Sequence, residues 1–199
     1  MTEDMTAVHT AAPHDGETPQ TTLRAMLAVI VATGLIGLSF GYSLPLLAIV
    51  MEKAQIGSTM IGLSAASESA AILFIGPFVP RFIAALGLRN AFFLAILIGA
   101  VSLGALAFFD PPFVWFPLRF ILGGAVFVCL IISDIWVTQG SSNEKRGRWI
   151  AIYGTSITGG LAAGPLLVPV IGSDGDLPIF LGAAMFAATA IPLILAYGP

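Results

Sequence analysis

The feature that most constrains this chain is a series of six long apolar runs, separated by short polar or proline-containing breaks. A helix needs about 20 consecutive apolar residues to cross the hydrocarbon core of a bilayer. Hydrophobic residues make up 57% of the 199 positions and charged residues 10%, whereas a soluble domain carries about 25% charged residues. This composition excludes a soluble enzyme, a nucleic-acid-binding protein and a disordered chain. The six runs are 26–51, 59–82, 91–109, 113–139, 149–171 and 177–196.

These runs predict helices rather than strands of a transmembrane barrel. Backbone polar groups must be satisfied inside the membrane, so only helices and closed barrels span it. Barrel strands alternate apolar and polar residues over about ten positions, and the apolar stretch 91–98 does not alternate. We therefore predict an all-α polytopic membrane protein in which residues 24–199 form a bundle of six transmembrane helices.

The basic residues are distributed unevenly along this topology. Residues 1–23 are rich in Thr, Ala, Pro and acidic residues, which predicts a disordered tail without a secretory signal. Lys and Arg concentrate on the cytoplasmic side of membrane proteins. If the tail is cytoplasmic, Lys53 alone lies outside and Arg119 falls within a span. We therefore expect both termini in the cytoplasm, together with the remaining basic residues Arg24, Arg81, Arg89, Lys145, Arg146 and Arg148.

Three ionisable residues lie inside the predicted spans, where each costs about 2.5–3.5 kcal/mol on insertion scales. Two of them, Glu68 and Arg119, lie roughly 14 Å and 9 Å into the second and fourth spans, at about 1.5 Å per residue. Two long side chains can bridge this difference, so we expect a buried ion pair. The pair is either a proton- or substrate-coupling site or a static contact that fixes helix packing.

The third of these residues, Asp134, lies near the inner end of the fourth span. There it can reach Arg81 or Arg146. This position favours a structural ion pair at the membrane interface. The alternative is a gate latch that forms in one transport state and breaks in the other.

Small residues and prolines recur within the spans. Small residues four positions apart let helix backbones approach closely, and prolines allow helices to bend. Such bends weakly favour a protein that changes conformation. The small pairs are Gly37 with Gly41, Ala100 with Gly104, and Gly160 with Gly164.

The residues that an enzyme or a metal site would need are missing from the predicted spans. Both histidines, His9 and His14, lie in the tail, and the single cysteine, Cys129, lies in an apolar run. A phosphate-binding loop of the Gly-x-x-x-x-Gly-Lys-Ser type is absent. A rhomboid-type protease would need a His in a later span. We therefore predict no enzyme activity, no cofactor and no metal site.

Three motifs in order resemble the N-terminal half of the major facilitator superfamily over about residues 24–197. Residues 76–81 followed by 87–89 are similar to its signature after the second span, although Pro80 stands where Asp is usual. In the fourth span, Arg119 is followed by a Gly four residues on and a small residue two further. Residues 160–165 resemble the Gly-Pro motif of the fifth span. Segments 78–81 and 133–136 also resemble bacterial transporters of the YcaD type.

The resemblance implies a secondary transporter that moves a small solute across the bacterial inner membrane, with proton coupling at Arg119. It also implies a cavity on the first and fourth spans and a gate at the cytoplasmic end. The alternative for Tyr42 and Trp136 is a role as interfacial anchors or packing groups. The alternative for Ser43 and Ser133 is a hydrogen bond to the backbone of their own helix. The implied lining residues are Tyr42, Ser43, Ser133 and Trp136, and the implied gate residues are Arg81, Arg89, Asp134, Arg146 and Arg148.

A complete member of this superfamily has twelve spans in two halves, with the site between them. This chain resembles one half. We expect as partners the lipid bilayer, an unidentified small solute, and either the missing C-terminal half or a second copy; no nucleic acid is expected. The alternatives are a truncated fragment or scaffold without transport activity, and a six-helix exporter of another family that acts as a dimer.

Overall fold

The computed structural model describes residues 19–110, 113–141, 144 and 146–197, and this part of the chain is helical without a β-strand. The predicted disordered tail lies mostly outside the described residues, but 19–23 already belong to the first helix. Short 3₁₀ turns continue several helices. The α-helices are α1 (Pro19–Lys53), α2 (Ser58–Ile75), α3 (Val79–Ala105), α4 (Trp115–Gln139), α5 (Arg146–Ala163), α6 (Val168–Ile171), α7 (Leu177–Ala187) and α8 (Ala190–Tyr197).

Five helical segments of the described chain are long and apolar enough to cross a membrane. The second of them covers both the second and the third predicted runs. Its 51 residues would extend about 76 Å as one straight helix, whereas the hydrocarbon core is about 30 Å thick. The five segments are Leu23–Lys53, Ser58–Phe108, Trp115–Gln139, Arg146–Ile171 and Leu177–Ala196.

The long second segment is broken at Gly87. This residue has φ 77° and ψ 158°, a backbone conformation that is essentially restricted to glycine. The helix therefore stops at this residue and a new one starts directly after it. The break predicted between the runs 59–82 and 91–109 is thus a one-residue interruption inside α3 rather than a loop.

Helix α2 runs along α4 in the same direction. The Ser67 hydroxyl lies 3.3 Å from the Phe116 carbonyl oxygen, and further along both helices Gly76 lies beside the Phe127 ring. Later residues of α2 therefore contact later residues of α4, which makes the two helices parallel.

The part of α3 after Gly87 runs along α4 in the opposite direction. Ser102 donates a hydrogen bond to the carbonyl oxygen of Leu118 (2.6 Å), while the earlier Gly99 lies against the later Ala125. Because α2 runs parallel to α4 and this part of α3 runs antiparallel to it, the chain reverses its direction at the Gly87 break.

Helices α1 and α5 pack in close contact through their glycines, as the small pairs predict. Gly34 meets Gly160, and Gly41 meets Gly164, so the two helices run in the same direction. A Cβ at Gly37 would overlap the facing α5 backbone. The absence of side chains is therefore what allows this approach.

Helix α7 packs antiparallel to α1. The Ser39 hydroxyl donates to the carbonyl oxygen of Gly182 and the Tyr42 hydroxyl to that of Pro178, both at 3.0 Å. Gly104 of α3 lies beside Ala183 of α7. Thus α7 bridges α1 and α3.

The connections after α1, α3 and α6 meet at one end of the bundle. Lys53 forms an ion pair with Asp174 at 2.7 Å, and both line a cleft with Asp110, Trp115 and Asp176. The residues Arg81, Arg89, Arg146 and Arg148 lie on the segments that lead to or from the connections at the other end.

Candidate functional site

Glu68 of α2 and Arg119 of α4 form an ion pair in the interior of the bundle. The Arg119 Nη2 lies 2.7 Å and its Nε 3.2 Å from the Glu68 Oε2. The side chains are 1% and 3% exposed for Arg119 and Glu68, respectively. The contact predicted from their depths is thus present.

Two serines of α2 complete this group. The Arg119 Nη1 donates to the Ser64 Oγ at 3.3 Å. The Ser67 hydroxyl lies 2.6 Å from the Ser64 carbonyl oxygen and also approaches α4. In the described part of the chain, the Glu68 Oε1 is buried and has no hydrogen-bond partner. The site therefore has one acceptor atom that is not satisfied.

The close approach of α2 and α4 depends on Gly123. A Cβ at this position would overlap the Glu68 carbonyl oxygen and would lie 2.9 Å from the Glu68 Cγ. Gly123 lies one helical turn after Arg119, on the same face of α4. The spacing of Arg and Gly in α4 therefore brings the guanidinium and the α2 backbone together.

The predicted partners of Asp134 are wrong. Within the described residues it forms no ion pair with Arg81 or Arg146; instead it interacts with the Tyr153 hydroxyl, which also lies 3.4 Å from the Leu130 carbonyl oxygen. Asp134 thus links α4 to α5. From the sequence, Asp134 could reach either Arg81 or Arg146, and no pattern in the sequence indicated a tyrosine as its partner.

The basic residues assigned to the gate lie at the surface. Arg81 and Arg89 are exposed on α3, and Arg146 and Arg148 are exposed on α5. The Arg89 guanidinium lies 5.9 Å from the centre of the Phe93 ring, within cation–π range.

The predicted cavity-lining residues lie in packed regions. Tyr42, Ser43 and Ser133 are at most 2% exposed, and their hydroxyls donate to backbone carbonyl oxygens. For both serines the acceptor is in the same helix, which is the alternative considered from the sequence. Trp136 is half-buried, and its ring centre lies 5.4 Å from that of Phe92.

Ser64 is the site residue that sequence reasoning missed. It is fully buried and lies four positions before Glu68, so both residues occupy one face of α2. A small polar residue one turn from a buried acid was the available signal. The described residues hold no group of His, Cys, Asp and Glu suited to a metal ion.

Long apolar helices that pack with alternating directions around a buried ion pair define a multi-pass helical membrane protein. The sequence profile of the Major Facilitator Superfamily matches residues 29–199, and the chain belongs to this superfamily. It is therefore a membrane protein of a transporter family and not an enzyme.

One curated relative is the "Uncharacterized MFS-type transporter YfkF" of Bacillus subtilis (strain 168). It is 29% identical over 157 residues, which are 79% of this chain and 40% of the relative. The chain thus covers less than half of the length of this relative. No solved structure matches the chain.

Proposed function

We propose that the chain acts in secondary active transport of a small solute across the bacterial inner membrane, with proton coupling at Glu68 and Arg119. The observation that carries this proposal is the buried ion pair in which the Glu68 Oε1 lacks a hydrogen-bond partner among the described residues. Ionisable groups inside a membrane bundle commonly mark proton or substrate pathways. Family membership supports transport in general.

Charge balance explains how this pair could couple a proton to movement. The paired state is neutral overall, whereas protonation of Glu68 leaves a buried guanidinium without its counter-ion. An uncompensated buried charge is costly, so protonation favours a conformation in which Arg119 reaches water or another anion. Proton uptake would thereby shift the population of conformations.

We propose six crossings with both termini in the cytoplasm. The reversal at Gly87 supports two crossings within Ser58–Phe108, and the directions of α1, α4, α5 and α7 support alternation elsewhere. The connections that meet at Lys53 carry mainly acidic residues. The opposite end carries the exposed arginines, as expected for the cytoplasmic side.

For the solute path, we keep Trp136 as a lining residue because it is partly exposed. Tyr42, Ser43 and Ser133 would reach a path only after leaving their backbone acceptors. Asp134, with Tyr153, is proposed as a gate contact between α4 and α5. The arginines Arg81, Arg89, Arg146 and Arg148 would form the basic rim of that gate.

We propose that a second six-helix unit, either a C-terminal half or a second copy, covers the outer face of α5. This face is small and polar, with Ala151, Thr155, Thr158 and Ala162 exposed at helical spacing. Lipid-facing surfaces do not require small residues, whereas helix interfaces favour them. The greater length of the relative also supports a further unit.

The test is a proton-movement assay in inverted membrane vesicles with a dye that reports the pH gradient. Solutes are screened for those that dissipate the gradient, and Glu68→Gln is compared with the exposed control Glu52→Gln. We expect the Glu68 variant alone to lose solute-dependent proton movement while its membrane level stays normal, and Glu68→Asp to retain part of it.

Two results would contradict the proposal. If solute movement in Glu68→Gln and the parent protein is equal at every pH, the pair is not the coupling site. If Glu68→Gln and Glu68→Asp both fail to accumulate in the membrane, the pair is a packing contact, as in a scaffold.

A further inference from the structure

The Glu68 carboxylate is bound through one of its two oxygens. Arginine and carboxylate groups frequently pair through two parallel N–H···O bonds. Here the Arg119 Nε and Nη2 both donate to Oε2, at 3.2 Å and 2.7 Å. The other oxygen, Oε1, is buried and without a hydrogen-bond partner among the described residues. The pair is therefore asymmetric.

Ser64 provides a physical reason for this asymmetry. Its Oγ accepts a hydrogen bond from the Arg119 Nη1 at 3.3 Å. A guanidinium is planar with fixed donor directions, so an Nη1 directed at Ser64 constrains where the remaining donors can point. The constraint leaves both of those donors on one oxygen of Glu68.

We propose that Ser64 is a positioning residue that keeps Arg119 on Oε2 and so leaves Oε1 of Glu68 open as the proton-accepting atom. This inference deepens the proposed proton coupling and rests on it. A hydronium ion transfers its proton to an Oε1 lone pair and becomes water, so the carboxylate becomes a neutral acid. Arg119 keeps its charge but loses its counter-ion, which favours the change of conformation proposed for coupling.

Few polar or charged groups surround Glu68 in the described part of the chain, so its hydrogen bonds with Arg119 matter for its protonation. Of the charged groups in the part of the chain that the structure describes, Arg119 on α4 is the one that acts on Glu68. On α2 itself, the neighbouring polar side chains are the hydroxyls of Ser64 and Ser67. Hydrogen bonds to a carboxylate favour its charged form. Together with burial and the charge of Arg119, the number of N–H donors on Glu68 therefore influences the pH at which it takes up a proton.

The experiment is an infrared pH titration of the whole chain in lipid nanodiscs. It follows the carbonyl stretch of the protonated carboxyl group, which is assigned to Glu68 by its loss in Glu68→Gln. In Ser64→Ala the freed Nη1 turns to Oε1, so we expect the midpoint to fall by about one to two pH units. Ser64→Thr keeps the hydroxyl and should keep the parent midpoint.

Ser67→Ala is the matched control, because it removes a hydroxyl from the same helix that does not contact Arg119. Its midpoint should stay that of the parent protein. If Ser64→Ala does not fold, Ser64→Cys replaces the hydroxyl by a weaker acceptor and should shift the midpoint in the same direction. A midpoint that is equal or higher in Ser64→Ala and Ser64→Cys overturns the proposal, and so does the absence of a Glu68-dependent band.

The titration and the transport assay can fail independently. If Ser64→Ala lowers the midpoint but transport proves independent of protons, the positioning role of Ser64 stands and the proposed function fails. If transport depends on Glu68 but the Ser64 variants titrate like the parent protein, the proposed function stands and the role of Ser64 is refuted.

Discussion

The ion pair between α2 and α4 depends on a residue without a side chain. Gly123 lies against the Glu68 backbone, and a methyl group there would force the two helices apart. Overpacking of a close contact typically costs about 1–3 kcal/mol. We therefore expect Gly123→Ala to lower the free energy of unfolding by about this amount, measured by denaturant titration in detergent.

Gly62→Ala is the control for this prediction. Gly62 lies in α2, the helix that Gly123 of α4 contacts, but a Cβ at Gly62 would meet open space. Replacing an unconstrained helical glycine by alanine should stabilise the helix by about 0.5–1 kcal/mol. Equal destabilisation by both substitutions would show that the contact with Glu68 is not the cause.

The charged residues also show how far sequence reasoning reaches at this scale. Glu68 and Arg119 could be paired because each had one opposite charge at a similar depth. Asp134 had several basic residues within reach near the membrane surface, so depth could not decide among them. Its interaction with Tyr153 depends on how α5 packs on α4, which the local pattern does not contain.

At the scale of helices, the contact of α1 with α5 is the one that depends most directly on small residues. A valine at Gly37 would collide with the α5 backbone, which cannot move as a flexible side chain can. We expect Gly37→Val to lower the melting temperature in detergent clearly. Gly159→Val, on α5 with open space around it, should leave the melting temperature nearly unchanged; a similar loss in both would refute the contact.

The break at Gly87 marks a limit of prediction at the same scale. The apolar pattern located two runs on either side of it, and the bundle uses both runs. However, the reversal needs a single glycine in a conformation closed to other residues, and it leaves no polar loop to read. Composition therefore finds the spans but not the form of the turn between them.

At the scale of the whole molecule, the helical and apolar character of the spans follows from the sequence, because the membrane imposes the length of each run. Which helices lie next to each other does not follow from the sequence. That α1 lies between α5 and α7, and that α4 lies between α2 and α3, depends on contacts between residues far apart in the chain. Glycine pairs indicated that close packing occurs but not which helices meet.

The exposed face of α5 gives the last prediction, which tests whether a second six-helix unit covers it. Thr158 is exposed near the middle of the fifth span, and Val101 is exposed near the middle of the third. If a second unit encloses a water-filled path against α5, a membrane-impermeant maleimide should label Thr158→Cys in right-side-out or inverted vesicles. Val101→Cys, which would face lipid, should stay unlabelled. The natural Cys129 is fully buried and adds little background.

The labelling also identifies the covering unit. Labelling of Thr158→Cys in this chain alone would mean that a second copy forms the cavity. Labelling that requires co-expression of the remaining part of a longer relative would mean that the unit is a C-terminal half. If Thr158→Cys stays as unreactive as Val101→Cys in both settings, α5 faces lipid and the proposed cavity is wrong. Because both positions have the same depth and the same reagent, the comparison depends on the surrounding medium rather than on burial within the chain.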